Sequence, residues 1–469
     1  MVQLSYTAVE AALRAHIQAI GDLLIRERGS HVDTVEEYRD RWTRDSDGVF
    51  RPEKIQRPSL FPEWFTYEDT SHRLPTFASL VEAISADEVL RPQFDAMVGA
   101  ASSAERLDVD RLVRRMIATL IETDCYGGQI GFNEDRFQSR WGTTARELYA
   151  DTVDRVTVVL LPGLTAPGAL PIALARNLQI APLNDGEVTR AVYGGLLVPA
   201  MSPLIRDAEV TAIRHTDRVP KLINAEPNLS IDEGSFGQRP PLMFHLFADD
   251  ILSALRLVRA GRLKSPGVMR YFDSWLLEGF TSYHQRAGRP SDRGQFALAE
   301  GDLDEFRFLW ATLTGGLLQT KRFIAASLRR FSTAADRDSL DDSIVDLTIS
   351  AESLFLSEAG SPQDRGELGF RLALRAAVFI DWPDYSRREV FDLATTAYRR
   401  RSAVVHGGVV GNTAPLPRQS AGVPIPQFGQ AVEELMRRAI RKSLREGINV
   451  SDFGDRDYWL RLLLPPLTQ

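Results

Sequence analysis

Residues 386–408 read SRREVFDLATTAYRRRSAVVHGG, and whether this stretch is one helix decides how the C-terminal third of the chain folds. Ser386 and Glu389 have the spacing of a capping box, which predicts a helix starting just after the serine. Phe391, Ala394, Tyr398, Arg401 and Val405 follow at intervals of three and four, so they share one face. Gly407 and Gly408 predict the stop. On this reading Arg401 points toward apolar surroundings, while Arg399 and Arg400 project elsewhere. A charge on an apolar stripe is costly unless it is paired or lines a functional cavity. His406 falls at the helix end, where the imidazole is less confined and the C-terminal dipole favours its protonated form.

The neighbouring stretches repeat the helical pattern. In SLDDSIVDLTISAESLFL (339–356), Leu340, Ile344, Leu347, Ala351 and Leu354 form a stripe, and Asp341 and Asp342 sit where a helix N-terminus favours acids. ELGFRLALRAAVFI (367–380) predicts a second helix. After a Pro/Gly-rich loop (409–427), Phe428, Val432, Leu435, Met436, Ala439 and Ile440 supply the buried face of a further one. Residues 305–469 therefore read as a four- or five-helix bundle. Residues 151–300 read as a small α+β domain: RVTVVLL, LQIAPL, AVYGGLLVP and EVTAIRH predict strands, Asn184 and Glu187 make a capping box, and the helix in PLMFHLFADDILSALRLVRAG stops at Gly261. Residues 1–150 read as a mainly helical region with loops. AVEAALRAHIQAIGDLLIRE and DVDRLVRRMIATLIETD have helical spacing, and the Pro- and aromatic-rich segment 51–75 reads as a long packed connection. The fold class is α+β, predominantly α.

At 469 residues, with 44% hydrophobic and 25% charged positions, the chain has the composition of an ordinary globular protein of two or three domains. A net charge of −7 gives no global sign of nucleic-acid binding and leaves room for a local basic patch. The apolar run 156–175 is broken by three prolines and two glycines, so no membrane role is expected. The single Cys125 excludes an intramolecular disulfide and a cysteine-based zinc site, and with the amphipathic start it points to a reducing cytoplasm. Cys125 itself reads as a structural thiol.

Arginine followed four to six residues later by histidine can bind and cleave a phosphodiester, because one group is always cationic and the other exchanges protons near neutrality. With 51 arginines in the chain such pairs also arise by chance. Arg26 with His31 and Arg239 with His245 meet the same rule without the helical context of Arg401 and His406, and read as decoys. His16, His72, His215 and His284 read as isolated surface or packing residues.

The segment YRRRSAVVHGG (398–408), with Ser402 directly after Arg401, resembles the catalytic motif of the HEPN superfamily of helical-bundle ribonucleases, and within it the ApeA-like HEPN domains of bacterial defence and toxin proteins. RFSTAADRDSLDDSIVDLTISAESLFL (330–356), with its acid Glu352, and GELGFRLALRAAVFI, with Arg371 and Arg375, add to the likeness, which covers about 320–445. The resemblance implies an HEPN-type bundle and metal-independent RNA cleavage without a cofactor. Arg401 would hold the phosphate, His406 would move the proton, and Ser402 and Glu352 would support them. It further implies a homodimer through the C-terminal domain, RNA as substrate, a phage trigger or an antitoxin as partner, and sensing or restraint by the first two-thirds. The competing reading is a noncatalytic HEPN scaffold for dimerisation or RNA binding. Arg401 and His406 could then be helix-end cations that cap carbonyls or pair with acids. Glu352 could be tied to Arg371 or Arg375 instead of Arg401, Tyr398 reads as core, and Arg399 and Arg400 are either a solvated face or RNA contacts.

Overall fold

The computed structural model describes residues 7–30, 34–58, 71–95, 97–98, 105–106, 108–117, 119–120, 129–166, 168, 170–197, 205–206, 211–220, 240–261, 263–276, 281–285, 296–357, 367–408, 410–419 and 422–464. Cys125, His31, Arg239 and residues 59–70 of the Pro- and aromatic-rich segment lie outside them. The chain is α+β and predominantly helical, and it divides into two compact units rather than three consecutive segments. The first comprises residues 1–160, 173–240 and 267–285; the second comprises 161–172, 241–266 and 286–469. The units interleave along the chain because strands from 267–285 pair with one from 152–160, while the helix before them belongs to the second unit.

In the first unit, α1 (Thr7–Arg28), α2 (Pro75–Ala86), α3 (Val109–Ile117) and α4 (Glu134–Leu148) close around a core that includes Leu13, Ile17, Leu80, Val113, Phe137 and Trp141. His16 of α1 is fully buried in this region. Its Nδ1 and Nε2 are 2.9 and 2.8 Å from the hydroxyls of Thr76 and Ser71, which corrects its reading as an isolated residue. His72 likewise pairs with Asp110 at 2.7 Å.

A second correction concerns residues 34–58, which form a hairpin of β1 (Thr34–Arg44) and β2 (Val49–Pro58) and not helix or loop. Asp45 shapes the turn. Its carboxylate accepts from the backbone N–H groups of Asp47 and Val49, and Gly48 takes φ +74°. The hairpin buries Trp42 and Phe50 against the main sheet's core. That sheet is built from β3 (Thr152–Leu160), β4 (Ile172–Ala175), β5 (Leu178–Pro182), β6 (Thr211–Pro220), β7 (Gly267–Phe272) and β8 (Thr281–Gln285), in the order β8-β7-β3-β6-β5-β4. Helix α5 (Asp185–Tyr193) lies between β5 and β6 in the chain. The capping box at Asn184 and Glu187 is formed as expected, but the helix takes in Ala191–Tyr193, so residues 191–197 of the expected strand AVYGGLLVP are helix end and turn, and its last two residues lie outside the described ones. Glu187 is fully buried, and Arg214 and the Tyr271 hydroxyl satisfy its carboxylate.

The second unit runs through α6 (Pro240–Val258), α7 (Leu303–Thr314), α8 (Arg322–Asp336), α9 (Leu340–Phe355), α10 (Leu368–Phe379), α11 (Arg387–Val405), α12 (Ile425–Glu446) and α13 (Arg456–Leu463). Helix α9 lies at the centre, packed by α8, α10, α11 and α12. Its stripe Ile344, Leu347, Ala351 and Leu354 is buried, and so are Ser343, Asp346, Thr348 and Ser350. These polar groups are all met: Ser350 by Ser327, Ser343 by the Ala334 carbonyl, Thr348 by the Ile344 carbonyl, and Asp346 by Arg330 and Arg337 at 3.1 and 2.6 Å. All six apolar residues expected on α12 are buried, joined by Arg437, which donates to the Arg256 carbonyl and pairs with Glu433 and Glu434. Phe355, Phe379, Phe453 and Trp459 stack edge-on and face-on to close one end of the bundle. Among the described residues no helix is long and apolar enough to cross a membrane.

Burial drives the His16 imidazole down from 6.5 to about 4, with a nearby Asp110 opposing the shift and His72 adding to it. The fold therefore favours neutral His16. That stability is fully present above pH 6.5 and is lost as the pH falls toward 4, where the unfolded chain takes up the proton first. Urea unfolding should show the first unit weakening across this window, and His16→Gln should flatten that dependence.

Candidate functional site

Helix α11 forms as one unbroken element from Arg387 to Val405. Its capping box is complete: the Ser386 hydroxyl accepts from the Glu389 N–H, and the Glu389 carboxylate accepts from the Ser386 N–H at 2.7 Å. Arg418 doubly pairs with the same carboxylate, and with Ser386 it holds Glu389 down at about 2. The buried residues are Val390, Leu393, Ala394 and Ala397. Continuing that line by one turn reaches Arg401, so its inward phase agrees with the sequence reading. Phe391 and Tyr398 lie on the flank of the stripe. Phe391 meets Phe370 edge-on at 5.6 Å, and Tyr398 lies over Gly369, where a Cβ would come within 2.8 Å of the ring. Val405 is 52% exposed, so the apolar face ends before the helix does.

The helix stops in a Schellman motif. The Gly408 N–H donates to the Ala403 carbonyl at 2.8 Å and the Gly407 N–H to the Val404 carbonyl at 3.2 Å. Gly407 holds φ +70°, a left-handed conformation that a Cβ disfavours by roughly 1–2 kcal/mol. His406 is the C-cap. Its N–H donates to the Ser402 carbonyl at 3.1 Å, its ring is exposed, and among the described residues the ring has no hydrogen-bond or ion-pair partner. Ser402 is half-buried, and its hydroxyl makes no hydrogen bond among the described residues.

The three arginines differ sharply. Arg399 is exposed. The Arg400 side chain is only 8% exposed: its Nε and Nη2 reach Asp341 Oδ1 at 2.8 and 2.7 Å, and its Nη1 donates to the Gly411 carbonyl at 3.0 Å. This corrects the expectation that Arg400 lies on a solvated face, because its guanidinium ties α11 to the start of α9 and to the segment beyond the glycine stop. Arg401 is 25% exposed and has one ionic neighbour among the described residues, Glu352, with Nη2 to Oε2 at 3.7 Å. That exceeds hydrogen-bond length. The Arg401 Nε is buried with no hydrogen-bond partner among the described residues. Burial pushes the Glu352 carboxyl above the usual range, and Arg401 works against that shift. Of the two alternative partners for Glu352, Arg371 and Arg375, neither forms an ion pair with it, and Arg375 donates to the Phe355 carbonyl at 2.6 Å and lies over the Trp459 ring.

The site is thus a half-buried guanidinium that makes no hydrogen bond among the described residues, a carboxylate holding it loosely, and, five positions on, an exposed imidazole with no partner among those residues. Such a set can bind an anionic oxygen and exchange a proton close to it.

Arg400→Ala should lower the stability of the second unit by about 2 kcal/mol, because charged hydrogen bonds are lost and Asp341 is stranded. Arg399→Ala should stay within about 0.5 kcal/mol of wild type in the same denaturant titration. Gly407→Ala should cost about 1 kcal/mol. No family model, curated protein or solved structure matches the chain.

Proposed function

We propose that the second unit is a metal-independent endoribonuclease of the HEPN type, working as the effector of a bacterial defence or toxin system. The observation that carries this reading is the contrast between two adjacent arginines: Arg400 spends its donors on the fold, whereas Arg401 keeps a buried Nε and a loose ionic contact, with His406, which has no partner among the described residues, five positions on. A buried donor left unmet costs about 1–3 kcal/mol, so its persistence is explained if a ligand completes it.

In this reading Arg401 binds the non-bridging oxygens of a phosphodiester and offsets the charge that grows on them. The 2′-hydroxyl of the preceding nucleotide attacks phosphorus, and the bond to the 5′-oxygen of the next nucleotide breaks. His406 serves in proton transfer, as the acid that protonates the leaving oxygen or the base that takes the 2′ proton. The products are a 2′,3′-cyclic phosphate and a free 5′-hydroxyl, and DNA is spared because it lacks the nucleophile. Glu352 acts through Arg401 as a positioning residue, and Ser402 offers a hydroxyl to the same phosphate. Arg399, exposed on the same helix, attracts the RNA backbone. Two copies facing each other through this unit would bring two Arg401 and His406 pairs to one cleft. The first unit, in this reading, receives the activating signal.

Expressed in bacteria with and without phage challenge, the wild-type chain should arrest growth and fragment total RNA. Arg401→Ala and His406→Ala should do neither while keeping wild-type unfolding midpoints. Equal growth and equal RNA profiles for all three chains would favour the noncatalytic scaffold.

A further inference from the structure

One face of the six-stranded sheet carries a guanidinium that forms no ion pair among the described residues. Pairing registers set His215 of β6, Thr157 of β3 and Arg270 of β7 side by side on three adjacent strands, and the next rung holds Asp217, Arg155 and Phe272. The alternation that turns Val156 and Val158 into the core with Trp42 and Phe50 turns Arg155 and Thr157 to the opposite face. Thr157 is 3% exposed, and His215 and Arg270 are half-buried.

The two arginines of this face are not equivalent. Arg155 is neutralised by Asp217, which accepts from both its Nε and its Nη2. Arg270 has, among the described residues, a single long hydrogen bond from Nε to the Thr157 hydroxyl at 3.3 Å and no carboxylate. Burial lowers the affinity of the Arg270 guanidinium for its proton, and Arg155 adds to this against Asp217. Burial also lowers the His215 imidazole, with Asp217 opposing it and Arg155 and Arg270 adding to it. A partly desolvated guanidinium without a counter-ion is costly. The arrangement becomes favourable when an anion occupies the rung.

We propose that Arg270, Thr157 and His215 form a binding site for a phosphate group, carried by inorganic phosphate or by a small phosphomonoester such as a nucleotide. The Arg270 fork would donate to two phosphate oxygens, and Thr157 would donate its hydroxyl. The Asn177 amide lies 3.1 Å from His215 Nε2, so in the neutral ring that nitrogen accepts and Nδ1 carries the proton. A phosphate dianion matches the charge of Arg270 and draws a second proton onto His215 Nε2, whereupon the Asn177 amide turns its oxygen to accept from it; a single carboxylate charge does not balance both cations. The paired Arg155 and Asp217 form a neutral boundary on one side. The site lies wholly in the first unit and does not rest on the ribonuclease reading.

The test is calorimetric titration of the full-length chain, in phosphate-free buffer at constant ionic strength, with inorganic phosphate and separately with adenosine 5′-monophosphate. Saturable binding of at least one probe is expected, weakened at least tenfold in Arg270→Gln and to a smaller extent in Thr157→Val. Binding of both probes, or of one alone, identifies the source of the phosphate. Without phosphate, Arg270→Gln should melt at or above the wild-type temperature, since it removes an unmet charge. Absence of saturable binding to wild type, equal binding in both variants, or an Arg270→Gln chain that melts several degrees lower in phosphate-free buffer overturns the proposal.

Discussion

Two adjacent arginines on α11 reach acids on α9 that are eleven positions apart, Arg400 to Asp341 and Arg401 to Glu352. Eleven residues of α-helix span about 16 Å, so the two arms are anchored that far apart along α9. One arm is tight and buried, the other long and half-exposed. The tight arm sets the register of α11 on the central helix and, through the Gly411 carbonyl, fixes the segment after the glycines. With Arg400 committed, the position of Arg401 follows from helical phase, and that of His406 from the Schellman stop one turn later. The candidate site is therefore held by an interaction in which its own groups take no part.

The chain uses arginine widely as an internal tie. Asp346 is clasped by two arginines, Arg437 bridges two glutamates and a backbone carbonyl, Arg256 reaches the Leu263 carbonyl and Asp336, and Arg214 meets buried Glu187. Each pairs a desolvated charge with an opposite charge or a carbonyl, which is the condition under which burial is tolerated. Against this background Arg401 and Arg270 stand out. Each is partly buried, and each has a weak set of partners among the described residues.

Local signals in the sequence were the legible ones. The capping box at Ser386, the glycine stop, the phase of Arg401 and the six buried positions of α12 each depend on residues within a few turns. Arg400 was misread because its partner, Asp341, lies fifty-nine positions upstream and no periodicity records it. The buried His16 fits a packing residue, but its hydrogen-bond partners Ser71 and Thr76 lie too far along the chain for the sequence to record them. The β1–β2 hairpin was missed because its strands are rich in charged residues, although Asp47-Gly48 was a turn signal. The alignment of His215, Thr157 and Arg270 depends on the pairing of three strands distant in sequence, so this rung is not legible without the sheet order.

The end chemistry of cleaved RNA tests the central claim most directly. Purified wild-type chain is incubated with total bacterial RNA, and with a single-stranded DNA control, in excess chelator, and the fragment ends are mapped. Cleavage at the proposed site gives fragments ending in a 2′,3′-cyclic phosphate and beginning with a 5′-hydroxyl, with DNA intact and no such ends when Arg401 is replaced by alanine. Uncut RNA, fragments bearing 3′-hydroxyl and 5′-phosphate ends, or cleavage that survives loss of Arg401 would contradict it.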